Sequence, residues 1–203
     1  DGHLYMYDIN KKFTRDLGKV DDWDICRTIF ADDKGSIYGS FPVAQIWKYD
    51  PLKDEVIDFP NIRLQYDMRV LPRTMSKPMI DRKVIWRVIE WDPIDKVAYG
   101  IVGGNSMLFK YDVHKGTEGE IEYLIPLTAP QYWDEKNVNL IPFATLALTI
   151  SQDRKIYYAP TASGSFDYIG NSWDVKDEEK FQAKMSGGHF PPVSYLISYD
   201  LKT

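Results

Sequence analysis

Hydrophobic and polar residues alternate along this chain over short segments that end in polar turns, and no sustained helical period occurs. Such alternation predicts half-buried β-strands. One kind of segment begins with an aliphatic residue, ends in Tyr-Asp and occurs four times, at residues 4–8, 46–50, 108–112 and 196–200. We expect each copy to be a strand that ends at its Asp, where a polar turn begins.

A second repeated unit precedes the last three copies of this motif and reads as strand, tight turn and strand. Its tyrosines Tyr38, Tyr99 and Tyr157 align, and Ile89 and Ile150 align in the strands before them. A further short strand follows each of the first three Tyr-Asp motifs, at residues 13–17, 56–59 and 121–127. One period therefore consists of four antiparallel strands, which we label A, B, C and D.

Four-stranded units that repeat about every 40–60 residues predict the blades of an all-β fold, the β-propeller. A β-sandwich whose hairpins resemble one another by chance is the alternative. The chain holds about three blades, whereas closed propellers typically have about 4–8, so we expect it to be part of a larger closed propeller. The predicted divisions are residues 1–20 (strands C and D of a first blade), 21–83 (second blade and loop), 84–139 (third blade and loop) and 140–203 (truncated fourth blade with a long insertion).

Composition narrows the class of protein. The 203 residues include 25 Lys and Arg against 30 Asp and Glu, and 44% are hydrophobic. This balance supports a folded core and argues against a disordered chain or a nucleic-acid binder. No apolar run is long enough for a membrane span. Cys26 is the single cysteine, which excludes an internal disulfide and a multi-cysteine metal site, and we expect it to be buried.

The long connections are predicted to lie at one end of the blades, opposite the short A–B and C–D turns. They comprise residues 60–83, 128–142 and 159–193. Long ordered loops on a rigid scaffold commonly carry binding or catalysis. The first loop has an excess of positive charge, and guanidinium groups bind carboxylate, sulfate or phosphate. The ligand-binding candidates at this end are Arg63, Arg69, Arg73, Asn105, Trp133 and Trp173.

Two further arginines, Arg27 and Arg87, occupy the same place in two A strands, where the third copy has Leu148. The A strand of a propeller blade lines the central channel, so these arginines are candidates for binding an anion there. Buried ion pairs between blades are the alternative. His189 and Tyr132 are the candidate catalytic residues, because each lies on a long loop and each can transfer a proton. Histidine spacing predicts no metal site, and the sequence indicates no particular cofactor.

The repeated motifs resemble those of a broad group of bacterial β-propellers. They are Gly-x-Ile-Tyr-Gly at residues 35–39 and aromatic-x-Tyr-Asp-Pro at residues 47–51. The chain resembles regucalcin/gluconolactonase-like proteins, virginiamycin B lyase-like proteins and propeller polysaccharide lyases. The resemblance implies the fold of the blades and carries over no catalytic residue.

Two functions remain open at this stage. The first is an enzyme, a carbohydrate-active lyase or hydrolase, in which arginines neutralise a uronate carboxylate and His189 or Tyr132 takes the adjacent proton. The second is a non-catalytic propeller that binds a glycan or a protein within a larger assembly. In both, the ligand binds at the long-loop face, the remaining blades complete the fold, and nucleic acid is not a partner. The compartment is left open, with a periplasmic or secreted location favoured.

Overall fold

The computed structural model describes residues 2–20, 26, 28–40, 45–64, 86–102, 107–127, 147–159 and 196–202. Within these ranges the chain is all-β and contains thirteen strands and no helix. The strands are β1 (His3–Asp8), β2 (Phe13–Lys19), β3 (Phe30–Ala31), β4 (Ile37–Ser40), β5 (Gln45–Asp50), β6 (Glu55–Arg63), β7 (Trp86–Asp92), β8 (Val97–Val102), β9 (Met107–Asp112), β10 (Glu120–Pro126), β11 (Leu148–Ile150), β12 (Lys155–Tyr158) and β13 (Ile197–Asp200).

The strands form four antiparallel sheets, and each sheet follows chain order. The first sheet is β1–β2, the second β3–β4–β5–β6, the third β7–β8–β9–β10 and the fourth β11–β12–β13. This order follows from the short turns, because antiparallel neighbours need only a hairpin connection. The prediction of repeated units of four antiparallel strands is therefore confirmed in the second and third sheets.

The Asp of each Tyr-Asp motif has the same structural role in all four copies. Its Oδ1 accepts a hydrogen bond from the backbone N–H two residues later, at 2.9–3.0 Å. This arrangement is an Asx turn, in which the side chain mimics a backbone turn and stops the strand. The aspartates are Asp8, Asp50, Asp112 and Asp200. The motif that defines the repeat therefore specifies where strand C ends.

The register of the fourth sheet corrects the alignment predicted for the third repeat. Glu90 pairs with Tyr99 in the third sheet, whereas Thr149 pairs with Tyr157 in the fourth. Leu148, rather than Ile150, is therefore the equivalent of Ile89. The cause is that Ser151 takes the place at the start of the turn that Asp92 has in the third sheet. Position 148 is consequently not the equivalent of Arg87.

Apolar side chains pack between successive sheets and form three clusters. The largest lies between the second and third sheets, where Trp86, Phe109 and Tyr111 are essentially inaccessible to solvent. Leu108 and Tyr158 belong to the cluster between the third and fourth sheets, and a smaller cluster joins the first and second sheets. Most of the aromatic excess in this part of the chain is thus used for packing between sheets.

The first strands of successive sheets are neighbours. Strand β3 lies against β7, and β7 lies against β11. The indole Nε1 of Trp86 donates to the carbonyl of Thr28 at 2.8 Å, and the backbone N–H of Ile150 donates to Glu90 Oε2 at 3.1 Å. Side chains of the third sheet therefore satisfy backbone groups in the A-strand regions on either side.

Two sequence expectations concern membrane insertion and Cys26. Among the residues that the structure describes, no helix is long and apolar enough to cross a membrane. The expectation that Cys26 is buried is wrong. It lies before β3, outside the sheet, and is exposed, with its thiol donating to the carbonyl of Thr28 at 3.5 Å.

Candidate functional site

Two of the ten candidate site residues lie in the part of the chain that the structure describes. Arg63 is the last residue of β6, and Arg87 is the second residue of β7. The other eight lie outside the described ranges, and their roles stay predictions: Arg27, Arg69, Arg73, Asn105, Tyr132, Trp133, Trp173 and His189.

Arg87 is half-buried and lies at a bulge in strand β7. Trp86 pairs with Val102 and Val88 with Ile101, so Arg87 is the extra residue between two consecutive pairs. A bulge interrupts the alternation of side chains between the two faces of a strand. The direction of Arg87 therefore does not follow from simple strand periodicity.

Arg63 is exposed and lies at the end of a wider irregularity. Gln45 pairs with Arg63 and Ile46 pairs with Phe59, so the three residues 60–62 bulge outwards from β6. The strand predicted to end at Phe59 is continued by this bulge to Arg63. The bulge brings Asn61 and Ile62 to the turn between β9 and β10.

Glu118, in the turn between β9 and β10, holds the bulge in place. Its Oε2 accepts hydrogen bonds from the backbone N–H groups of Asn61 and Ile62 at 2.8 and 2.9 Å. Its Oε1 accepts one from Nδ2 of Asn61 at 2.7 Å. Three donors on one carboxylate fix the relative position of the second and third sheets at their outer rim.

The turn that carries Glu118 is itself rigidly built. The hydroxyl of Tyr111 donates to the carbonyl oxygen of Glu118 at 2.6 Å. Gly119 has a φ of +88°, and a Cβ at this position would overlap the ring of Tyr111. Glycine is therefore required here both for backbone conformation and for space.

This contact changes the expected arrangement of the two ends of the sheets. A C–D turn was predicted to lie opposite the D–A connections, yet Glu118 contacts β6 where that strand leads into the long connection. Sheet twist of about 20–25° per strand accumulates to roughly 60–75° across four strands. Such a rotation brings an outer strand of one sheet towards the turn of the next.

An open cleft of about 560 Å³ lies between the bulge and this turn. Ile62, Ile121 and Tyr123 are half-buried and pack against the apolar cluster between the second and third sheets, which gives the cleft an apolar side. The polar side chains at the cleft are those of Asn61, Arg63, Thr117, Glu118 and Glu120.

The charged side chains at the cleft differ in the partners that they have. Glu118 accepts three hydrogen bonds, and Glu120 Oε1 accepts one from Nζ of Lys115 at 3.1 Å. Arg63 is exposed and has no ion-pair partner among the described residues. Its exposed guanidinium presents a fork suited to a carboxylate.

A second group of charged residues joins the A–B turns of successive sheets. Nη1 of Arg154 donates to Asp92 Oδ1 at 2.7 Å, and Nη2 lies 2.7 Å from Asp92 Oδ2 and 2.6 Å from Asp95 Oδ2. Lys96 and His114 pair with Asp33 of the preceding sheet at 3.4 and 3.0 Å. Another ion pair, between Arg15 and Asp54, joins the first and second sheets.

The sequence contains a signal for this group that was missed. Lys96 and Arg154 each lie three residues before the aligned tyrosine of strand B, and each has a positive φ. Each pairs with an acidic residue in the A–B turn of the preceding sheet. The repeated position therefore indicates an ion pair that links successive sheets. An ion pair between blades is also the alternative role given above for Arg27 and Arg87.

Burial and ion pairing have opposite effects on the pKa of Asp92, the buried member of this group. Burial works to raise the pKa of Asp92, but the hydrogen bonds from Arg154 and from the backbone N–H of Ile94 hold it below the ordinary value. Asp92 is therefore ionised at neutral pH and paired with Arg154. Within the described ranges, no group of three or more His, Cys, Asp or Glu side chains is placed to hold a metal ion.

No family model matches the chain. Curated proteins give no match either. The resemblance to bacterial propellers therefore rests on the repeated motifs alone.

Proposed function

We propose that the chain supplies about three blades of a β-propeller that binds an anionic carbohydrate at the cleft beside Arg63. The cleft has one apolar side, near Tyr123, and one polar side with an exposed guanidinium. Sugars present C–H faces that pack on apolar surfaces and hydroxyls that need hydrogen bonds, and a uronate adds a carboxylate. The exposed Arg63 is the single observation on which this choice of ligand depends.

The propeller part of the proposal is supported by the relation between successive sheets. The A strands are neighbours, and the same turn position supplies a cation to the preceding sheet twice, at Lys96 and at Arg154. Repeated contacts of one kind are expected when sheets are related by one repeated rotation. A circular arrangement of blades has this property.

The size and openness of the cleft suit an oligosaccharide. Its volume of about 560 Å³ lies within the range of about 300–1,000 Å³ that is usual for small-molecule sites. The cleft is open to solvent rather than enclosed. The proposed activity is binding; proton abstraction by His189 or Tyr132 stays a prediction from the sequence.

Calorimetric titration with a uronate oligosaccharide tests this function. We expect oligogalacturonate to bind, and its methyl-esterified form, which lacks the charge, to bind at least about tenfold more weakly. Arg63→Gln should weaken binding of the acidic form by a similar factor. Lys34→Gln removes the same charge from an exposed A–B turn and should leave affinity unchanged.

Two outcomes would contradict the proposal. One is equal affinity for the free and the esterified oligosaccharide. The other is an Arg63→Gln protein that binds as tightly as the unmodified chain, which would move any carbohydrate site elsewhere on the molecule.

A further inference from the structure

Strand β1 is an edge strand in the part of the chain that the structure describes. It is the equivalent of β5 and β9, which pair on one side with strand B of their own sheets and on the other with strand D. Among the described residues, β1 pairs with β2 alone. Natural edge strands usually carry charges or proline that block further pairing, yet residues 4–7 of β1 have neither.

The aromatic side chains of β1 are exposed where their equivalents are buried. Tyr5 and Tyr7 are 53% and 58% exposed. The equivalent residues of β5, Trp47 and Tyr49, are 1% and 7% exposed, and those of β9 are completely buried. This surface of β1 therefore has the composition of a covered strand.

The two complete sheets show what lies beside the equivalent of Tyr5. Gly39 of β4 pairs with Trp47, and Gly100 of β8 pairs with Phe109. A Cβ on either glycine would overlap the aromatic ring of its partner. The ring therefore lies across the neighbouring strand at a place where only glycine leaves room.

The fourth sheet shows the opposite combination of residues. Its residue at this position is the aliphatic Ile197, and the residue opposite is Tyr158 rather than glycine. An aromatic residue in strand C thus goes with glycine in strand B. Tyr5 is aromatic, so the rule specifies the strand that fits beside β1.

We propose that the edge of β1 binds a β-hairpin of the A–B type whose second strand places glycine opposite Tyr5. In both complete sheets the residue before that glycine is tyrosine, opposite the equivalent of Met6. The partner strand therefore has tyrosine followed by glycine at these two positions. The inference concerns assembly and is independent of whether the chain binds a carbohydrate.

The chain itself supplies the probe for this edge. Residues 29–44 contain strands β3 and β4 with the connection to strand C, and residue 45 is the equivalent of His3. Adding a copy of residues 29–44 directly before His3, in an otherwise full chain, places the added Gly39 opposite Tyr5. We expect the melting temperature to rise by about 4 °C or more, because a new ladder forms and Tyr5 is covered.

A matched pair of variants separates this fit from a general effect of the added segment. With Gly39→Val in the added copy, the rise should disappear, although valine favours strands more than glycine does. When Tyr5→Ala is also present, the added copy with glycine should no longer raise the melting temperature more than the added copy with valine does. Equal stabilisation by both copies in the Tyr5 protein would overturn the proposal.

Amide hydrogen exchange gives a second readout that does not depend on the melting temperature. The β1 amides that face away from β2 should exchange slowly only when the glycine-containing segment is present. If they are already protected in the unmodified chain and the chain elutes as a dimer, a second copy covers the edge and the proposed occupant is wrong. Rapid exchange with the added segment present would also contradict the proposal.

Discussion

Replacing Arg154 with methionine tests the link between the third and fourth sheets. The guanidinium forms a two-point contact with Asp92, whose side chain is 1% exposed. Removing it leaves a buried carboxylate that keeps a backbone hydrogen bond from Ile94 at 3.0 Å. Breaking a buried ion pair costs about 3–5 kcal/mol, and we expect the lower end, about 3 kcal/mol, because that hydrogen bond remains.

The predicted cost corresponds to a measurable change in melting temperature. For a chain of about 200 residues, about 3 kcal/mol lowers the midpoint by roughly 6–12 °C at pH 7. Circular dichroism during heating measures this directly. Lys155→Met is the matched control, because Lys155 and Asp153 form an exposed pair in the same turn at 3.4 Å. Such pairs contribute about 0–1 kcal/mol.

The pH dependence of the loss follows from the pKa of Asp92. Since the folded-state pKa lies below the unfolded value of about 3.9, the stabilisation is present above pH 4 and is lost as pH falls through the folded pKa. The difference between Arg154→Met and the unmodified chain should therefore be large at pH 7 and smaller at an acidic pH below the unfolded value of about 3.9. Equal midpoints at pH 7, or a loss that is the same at both pH values, would contradict a stabilising ion pair between Arg154 and Asp92.

Three further predictions concern the repeat. Asp112→Ala removes the acceptor for the N–H of His114 and should lower the free energy of unfolding, measured by chemical denaturation, by about 1 kcal/mol. The control Asp58→Ala, on the exposed side of β6, should change it by no more than about 0.5 kcal/mol. Equal effects of the two substitutions would contradict the role of the Tyr-Asp motif in ending the strand. Gly100→Ala places a Cβ in the ring of Phe109 and should cost about 1–3 kcal/mol, and Phe109→Leu added to it should recover part of that loss. Burial raises the pKa of Tyr111 far above its ordinary value, so its favourable contribution is present below about pH 10 and is lost at higher pH; in alkaline absorbance titration, Tyr111→Phe should reduce the late phase that coincides with unfolding, and an unchanged late phase would count against it.

The strands could be predicted from the sequence because the information for them is local. Alternation, the Tyr-Asp motif and the turn residues lie within a few positions of one another, and each sheet follows chain order. The predicted alignment of the fourth sheet was wrong by two residues, because Ser151 takes the place that Asp92 has in the third sheet. A serine that replaces the expected Asp at the turn shifts a motif-based alignment without changing the fold.

The contacts between sheets could not be predicted in the same way. Glu118 and Asn61 are 57 positions apart, and they meet because of a bulge in β6 and the twist of two sheets. The partners of Arg154 likewise depend on which turn lies beside it. Arg63 is exposed at the end of β6, and the cleft at its side chain depends on geometry that sequence spacing does not contain.

The location of the proposed carbohydrate site can be tested most directly by nuclear magnetic resonance. Isotopically labelled full chain would be titrated with oligogalacturonate while backbone amide shifts are followed. We expect the largest changes at Asn61, Ile62 and Arg63 and in the turn from Gly116 to Glu120, and we expect Arg63→Gln to reduce them greatly. Saturable changes that leave these residues unaffected, or no changes at all, would contradict the proposed carbohydrate site.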